Sequence, residues 1–74
     1  MTKIQAMRKM EEKGLSFTAN VIMNGCGKPT KKMNTILALI DKGHEVRHAQ
    51  FETCAIIIDG AFTWLGALDE MNVG

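Results

Sequence analysis

Along the first thirteen residues, apolar side chains recur at every third position, Ile4, Met7 and Met10, with Ala6 beside them and charged residues between. That spacing predicts an amphipathic helix over Thr2 to Lys13. Thr2 and Gln5 stand at the separation of a capping box, and Arg8 and Glu12 are placed to pair one turn apart. Gly14 falls where a left-handed C-cap belongs. The period then changes. Phe17, Ala19, Val21 and Met23 alternate with Ser16, Thr18 and Asn20, which predicts a strand over Leu15 to Met23, with Ile22 breaking the alternation. Asn24-Gly25 signals a turn. Met33, Ile36, Leu37 and Ile40 fit the i, i+3, i+4, i+7 template, so a second helix is expected over Lys31 to Lys42, with Thr30 as N-cap and Gly43 as C-cap.

The second half reads as strands. His44 to Phe51 and Thr53 to Ile58 are separated by a residue or two, which suggests an antiparallel pair. Ile56-Ile57-Ile58 is β-branched and apolar on both faces, so this strand belongs in the middle of the sheet. Asp59-Gly60 suits a type I′ hairpin turn into a fourth strand, Ala61 to Trp64. Leu65, Leu68 and Met71, three apart, predict a short closing helix over Leu65 to Asn72. Lys13-Gly14 and Lys42-Gly43 look alike, but a glycine at a helix end needs no repeat to explain it. If the strands before and after the second helix are parallel, they form a right-handed βαβ unit. The expectation is one α+β domain over residues 1–74. It has a small mixed sheet of three to four strands with two main helices on one face, in the order α-β-α-β-β-(β)-α.

Composition narrows the class. A chain of 74 residues buries only about 60% of the surface its unfolded form exposes, so few residues are spare for anything but folding. Six methionines adapt to a small irregular interior that holds only four aromatic residues. No continuous apolar run suits a signal peptide, and none approaches the ~20 residues of a membrane span, so a cytoplasmic location without membrane contact is expected. The two cysteines are expected as free thiols, Cys54 in the core and Cys26 exposed between glycines, with a Cys26–Cys54 disulfide as the less favoured alternative. The net charge of +1 conceals a polarity. Residues 1–32 hold seven basic and two acidic side chains, whereas residues 33–74 hold two basic and six acidic ones. Such asymmetry can orient a partner.

Several groups of residues could carry chemistry. Gly25, Gly27, Lys28, Thr30, Lys31 and Lys32 open the second helix as a glycine-containing basic loop, which could hold an anion on free N–H groups. The spacing is not that of a phosphate-binding P-loop, since Ile22 and Pro29 occupy two of its defining positions. A solvated loop is the favoured reading. Cys26, His44 or His48, and Glu45 contain the residue types of a nucleophilic site, but no spacing links them. His44 and His48 lack further ligands at metal spacing. No catalytic residue, metal or cofactor is assigned, and the chain is expected not to be an enzyme. Nucleic acid is a disfavoured partner, because no aromatic side chains interleave with the basic ones and the C-terminal part is acidic. Arg47, His48, Phe51, Glu52, Trp64, Asp69 and Glu70 form the candidate partner interface, although for Phe51 and Trp64 the favoured reading is that of core aromatics on the sheet.

Residues 36 to 71 resemble part of a phage family that blocks Thoeris immunity by sequestering its cyclic nucleotide signal. The resemblance rests on the helix ending at Gly43, on Val46, and on Phe51, where that family usually has Trp. It continues through the apolar run Ala55 to Ile58, Asp59-Gly60, Trp64-Leu65 and Asp69. It covers about half the chain, lacks the family's long middle segment and transfers no ligand residues. It implies a small phage anti-defence protein, the class to which anti-CRISPR proteins also belong. The expected function is therefore a non-enzymatic inhibitor of a bacterial defence system that contacts a larger protein or complex, with a homodimer as a further possibility. The alternatives are a phosphate- or nucleotide-type ligand binder using Gly25 to Lys32, and a nucleic-acid-binding regulator.

Overall fold

A computed structural model describes residues 1–71. Three α-helices come first: α1 (Lys3–Glu12), α2 (Ser16–Ile22) and α3 (Lys31–Asp41). Three short strands follow, β1 (Val46–His48), β2 (Ala55–Ile58) and β3 (Ala61–Trp64), and a 3-10 helix, Leu65–Glu70, closes the fold. The chain is thus α+β, as expected. The strands form an antiparallel sheet in the order β1-β2-β3, with the isoleucine-rich strand in the centre.

The first helix begins as its sequence requires. The Thr2 hydroxyl accepts from the Gln5 N–H at 3.2 Å, and the Gln5 side chain accepts from the Thr2 N–H at 2.9 Å. Its buried stripe is turned from the expected one. Ala6 and Met10 are buried and Met7 packs against the core, whereas Ile4 is 61% exposed. At its end Gly14 takes φ +74°, the Leu15 N–H reaches the Met10 carbonyl at 2.8 Å, and the Gly14 N–H reaches Glu11 at 3.0 Å. This is a Schellman motif, in which the residue after the glycine packs back on the helix. That residue is Leu15, fully buried like Met10.

The expected strand over Leu15 to Met23 is instead a helix, and the parallel βαβ unit goes with it. Leu15, Thr18, Ala19 and Ile22 are buried, at the i, i+3, i+4, i+7 spacing of a helix face. Of the alternating set Phe17, Ala19, Val21 and Met23, Ala19 is buried, and the other three are 39–47% exposed. Thr18, Val21 and Ile22 prefer strands only weakly, and the packing of one face overrides that preference.

The second expected helix stands as α3. The Thr30 hydroxyl caps it by accepting from the Met33 N–H at 3.2 Å. Met33, Ile36 and Leu37 are buried and Ile40 packs against the core. The same Schellman geometry closes it, with Gly43 at φ +94° and the His44 N–H on the Leu39 carbonyl at 3.0 Å. Here the chain leaves into a strand rather than a helix, so the Lys-Gly likeness marks helix ends and no repeat.

The hairpin turn between β2 and β3 is as expected. Asp59 and Gly60 have φ values of 50° and 84°, the two positive angles of a type I′ turn, and Ile58 pairs with Ala61. Strand β1 is shorter than expected, and residues 49–54 form a loop with Phe51 95% exposed. The closing helix is 3-10 rather than α. With three residues per turn, Leu65, Leu68 and Met71 align on one side, and Leu65 and Leu68 are buried. The expected end of that helix, Asn72, lies outside the described residues.

All the helices lie on one side of the sheet. Val46, Ile56 and Ile58 project from that face into the core. The register puts Arg47, Ile57 and Phe62 in one row on the other face, with Ala55 and Trp64 in the next.

Replacement of Leu15 by Ala is expected to cost about 2–5 kcal/mol. Val21→Ala, on the exposed side of α2, is expected to stay within roughly 0.5 kcal/mol. Urea denaturation of both variants tests the helical reading, because a strand with Val21 in the core would penalise the second change strongly.

Candidate functional site

The basic loop is organised by bonds within the chain. The Asn24 side chain accepts from the Cys26 N–H at 2.9 Å, and Lys3 binds the Asn24 carbonyl through its ammonium at 2.9 Å. The Lys3 N–H also reaches the Gly27 carbonyl at 3.0 Å. These bonds strap the loop to the start of α1. At the start of α3, the Lys32 ammonium meets the Asp69 carboxylate at 2.6 Å, and Lys31 donates to the Asp69 backbone carbonyl at 2.6 Å. Asp69, assigned from sequence to a partner interface, thus sits against two lysines assigned to an anion site. Gly25, Gly27 and Lys28 remain exposed, Thr30 is committed to its cap, and Glu70 is exposed on the far turn of the 3-10 helix.

The end of the sheet near α3 holds a second polar cluster. Asp59 accepts from the His44 ring at 2.5 Å with one oxygen and from the Glu45 N–H at 2.9 Å with the other. The His44 bond, then the Glu45 bond, holds the Asp59 carboxyl below its ordinary range. Arg47 meets Glu45 at 3.1 Å. A groove of about 400 Å³ runs beside this cluster, lined by Lys13, Ile40 and Arg47 among others. A carboxylate-held imidazole is the orienting half of a nucleophilic site. Cys26, however, precedes α3 while His44 follows it, a separation of about 16 Å along the helix. Cys54 stands at the opposite end of β2 from Asp59, roughly 16 Å away. The cluster therefore fastens a hairpin turn. Both thiols are free and exposed, which corrects the expected core position of Cys54. Among the described residues no group of His, Cys, Asp and Glu could hold a metal ion, and no helix is long and apolar enough to cross a membrane.

The remaining interface candidates divide between the faces of the sheet. His48 points inward, its ring centroid 4.7 Å from that of Phe17, and its buried Nδ1 has no hydrogen-bond partner. Glu52 accepts from the Cys54 N–H at 3.2 Å and orders the loop that displays Phe51. Arg47 and Trp64 lie on the outer face. There they join two residues that were not singled out from sequence, Ile57 and Phe62. The Phe62 and Trp64 rings meet edge to face, with centroids 5.0 Å apart and planes at 89°. Both are about half exposed, at 52% and 54%. The signal was present in the alternation of Ala61 to Trp64, which places Phe62 and Trp64 on one face of a strand.

Comparison with protein-family models, curated proteins and solved structures finds no match to this chain.

Two measurements probe these clusters. Because the Asp59 carboxyl is held low in the folded state, its contribution is present above the ordinary carboxylate range and is lost as pH falls through the folded value. The stability gap between the native chain and Asp59→Asn, which tolerates the same φ, should therefore close below about pH 4 in denaturant titrations. Replacing His48 by Leu removes a buried unpaired nitrogen and should raise stability by about 1 kcal/mol, read in the same titrations.

Proposed function

We propose that this chain is a non-enzymatic binding protein that docks the bare outer face of its sheet on a larger protein. The observation that carries this reading is the edge-to-face pair of Phe62 and Trp64, half exposed beside Ile57 with Arg47 at the end of the row. Trp and Arg are the residues most enriched among energetic anchors of protein interfaces. A rigid aromatic pair loses little conformational freedom on binding. The Lys32–Asp69 ion pair and the His44–Asp59 hydrogen bond lie within the chain, so the outer face offers mainly apolar area with one guanidinium. The likeness of residues 36 to 71 to a Thoeris-blocking phage family supports a role as an inhibitor of a bacterial defence system. The polarity of charge along the sequence is compatible with an oriented encounter.

The test is capture of cloned bacterial defence complexes on the immobilised chain. One complex should be retained by the native protein. Phe62→Ala and Trp64→Ala should each weaken that retention by at least about thirtyfold, the scale of a 2 kcal/mol anchor. Val21→Lys, on the helical side, should leave it unchanged. Equal retention by all variants, or by none, would remove this reading.

A further inference from the structure

The Phe62 and Trp64 rings form more than an apolar patch. Their planes stand at 89°, with centroids 5.0 Å apart, and each ring is about half exposed. Two aromatic planes at a right angle make an inside corner, in which a group lying on one face has the other ring as a second wall. The face of an aromatic ring is the negative part of its quadrupole and attracts cations, most strongly in tryptophan.

The charges around the corner have the matching sign. Residues 48–74, which supply β2, β3 and the 3-10 helix, contain four acidic side chains and no lysine or arginine. Asp59 and Asp69 are engaged within the chain by His44 and Lys32. Glu52 has no cationic partner among the described residues. Its carboxylate accepts from the Cys54 N–H at 3.2 Å, and the Cys54 carbonyl takes the Leu65 N–H at 2.8 Å. An unneutralised carboxylate is thus fastened where the chain leaves Trp64. The nearest cation of the sheet, Arg47, stands two strands from β3, about 10 Å away, in the row of Phe62 rather than that of Trp64. Its Nε is already on Glu45 at 3.1 Å.

We propose that this corner seats a basic side chain, a lysine or arginine of the protein on which the outer face docks. The inference rests on that docking and names its chemistry. The alkyl stem of the incoming side chain packs on the rings, its charge lies over a π face, and Glu52 is its counter-ion. An acidic group from a partner would meet two negative ring faces and a carboxylate, and an apolar one would leave that carboxylate without a cation. The charge complementarity therefore selects a basic surface.

Trp64 is the chain's one tryptophan, so its emission reads the corner directly. The probe is hexalysine at about 0.15 M salt, where a Debye length of ~8 Å favours contact over long-range attraction. Hexalysine should shift the Trp64 emission saturably, whereas its fully acetylated form and hexaglutamate should not. Phe62→Leu keeps apolar bulk, deletes the π face and should weaken binding at least about threefold. Glu52→Gln keeps an acceptor for the Cys54 N–H, deletes the charge and should weaken binding about two- to fivefold. Glu11→Gln, the same charge change on the exposed side of α1, should leave it unchanged. An unresponsive Trp64, undiminished binding in Phe62→Leu, or equal losses in Glu11→Gln and Glu52→Gln would each overturn the inference. So would a mass that rises above 8.2 kDa with concentration in the native chain but not in Phe62→Leu, which assigns the corner to a second copy. Binding of hexalysine without capture of any defence complex counts against the proposed target alone. Capture of a complex that hexalysine cannot displace counts against the cation seat alone.

Discussion

The Leu15 N–H reaches back over Gly14 to the Met10 carbonyl, and the direction of the whole chain depends on that bond. It closes α1, buries Leu15 against the helix it has just left, and starts α2 from a residue already fixed in the core. Had the chain continued extended from Leu15, its residues to Met23 would have formed a strand beside β1 or β3. Because the chain turns into α2, those residues join the helical layer. The sheet is left with three strands, all from the second half of the chain.

A layer of three helices and a 3-10 segment covers one face of a three-stranded sheet, and among the described residues no further element covers the other. The core accordingly draws on Val46, Ile56 and Ile58 from the sheet. What the other face displays is set by register alone. The type I′ turn at Asp59-Gly60 fixes Ile58 opposite Ala61, and the pleat then sends Phe62 and Trp64 outward. The His44–Asp59 bond, at the helix-proximal end of the sheet, holds that turn and so holds the aromatic pair in place. A polar cluster with the look of chemistry is thus part of what positions an apolar surface.

Local signals in the sequence were reliable where one short-range interaction decides the outcome. The capping box at Thr2 and Gln5, the Thr30 cap, both glycine C-caps and the Asp-Gly turn each follow from a few neighbouring residues. The segment from Leu15 to Ile22 misled because it satisfies two periods at once. Phe17, Ala19 and Val21 alternate as in a strand, while Leu15, Thr18, Ala19 and Ile22 recur as on a helix. Only packing against α1 and α3 separates the two readings, and packing is not local. The outer face suffered from the same gap. Trp64 stood out as a large aromatic, but Phe62 and Ile57 gain meaning only once the hairpin register puts them beside it. Cys54 opened an apolar run and yet is exposed, because the strand proper begins one residue later.

The uneven charge of the sequence has a different standing in the folded chain. Read linearly, it separates a basic first part from an acidic second part. Folding brings the two together where Lys31 and Lys32 meet Asp69, so the start of α3 is tied to the closing 3-10 helix. With side chains 29% and 44% exposed, the Lys32–Asp69 pair is screened by water and adds little to stability. The Asp69 carboxylate holds Lys32 and its backbone carbonyl holds Lys31, two of the three lysines around the start of α3, while Asp69 itself stays exposed. The outer sheet face loses nothing in this exchange. Its recognition elements are two rings, an isoleucine and an arginine, and the weak Glu45–Arg47 pair leaves that guanidinium two-thirds exposed. In the docking proposed above, selectivity would come from shape around Phe62 and Trp64, with Arg47 setting orientation.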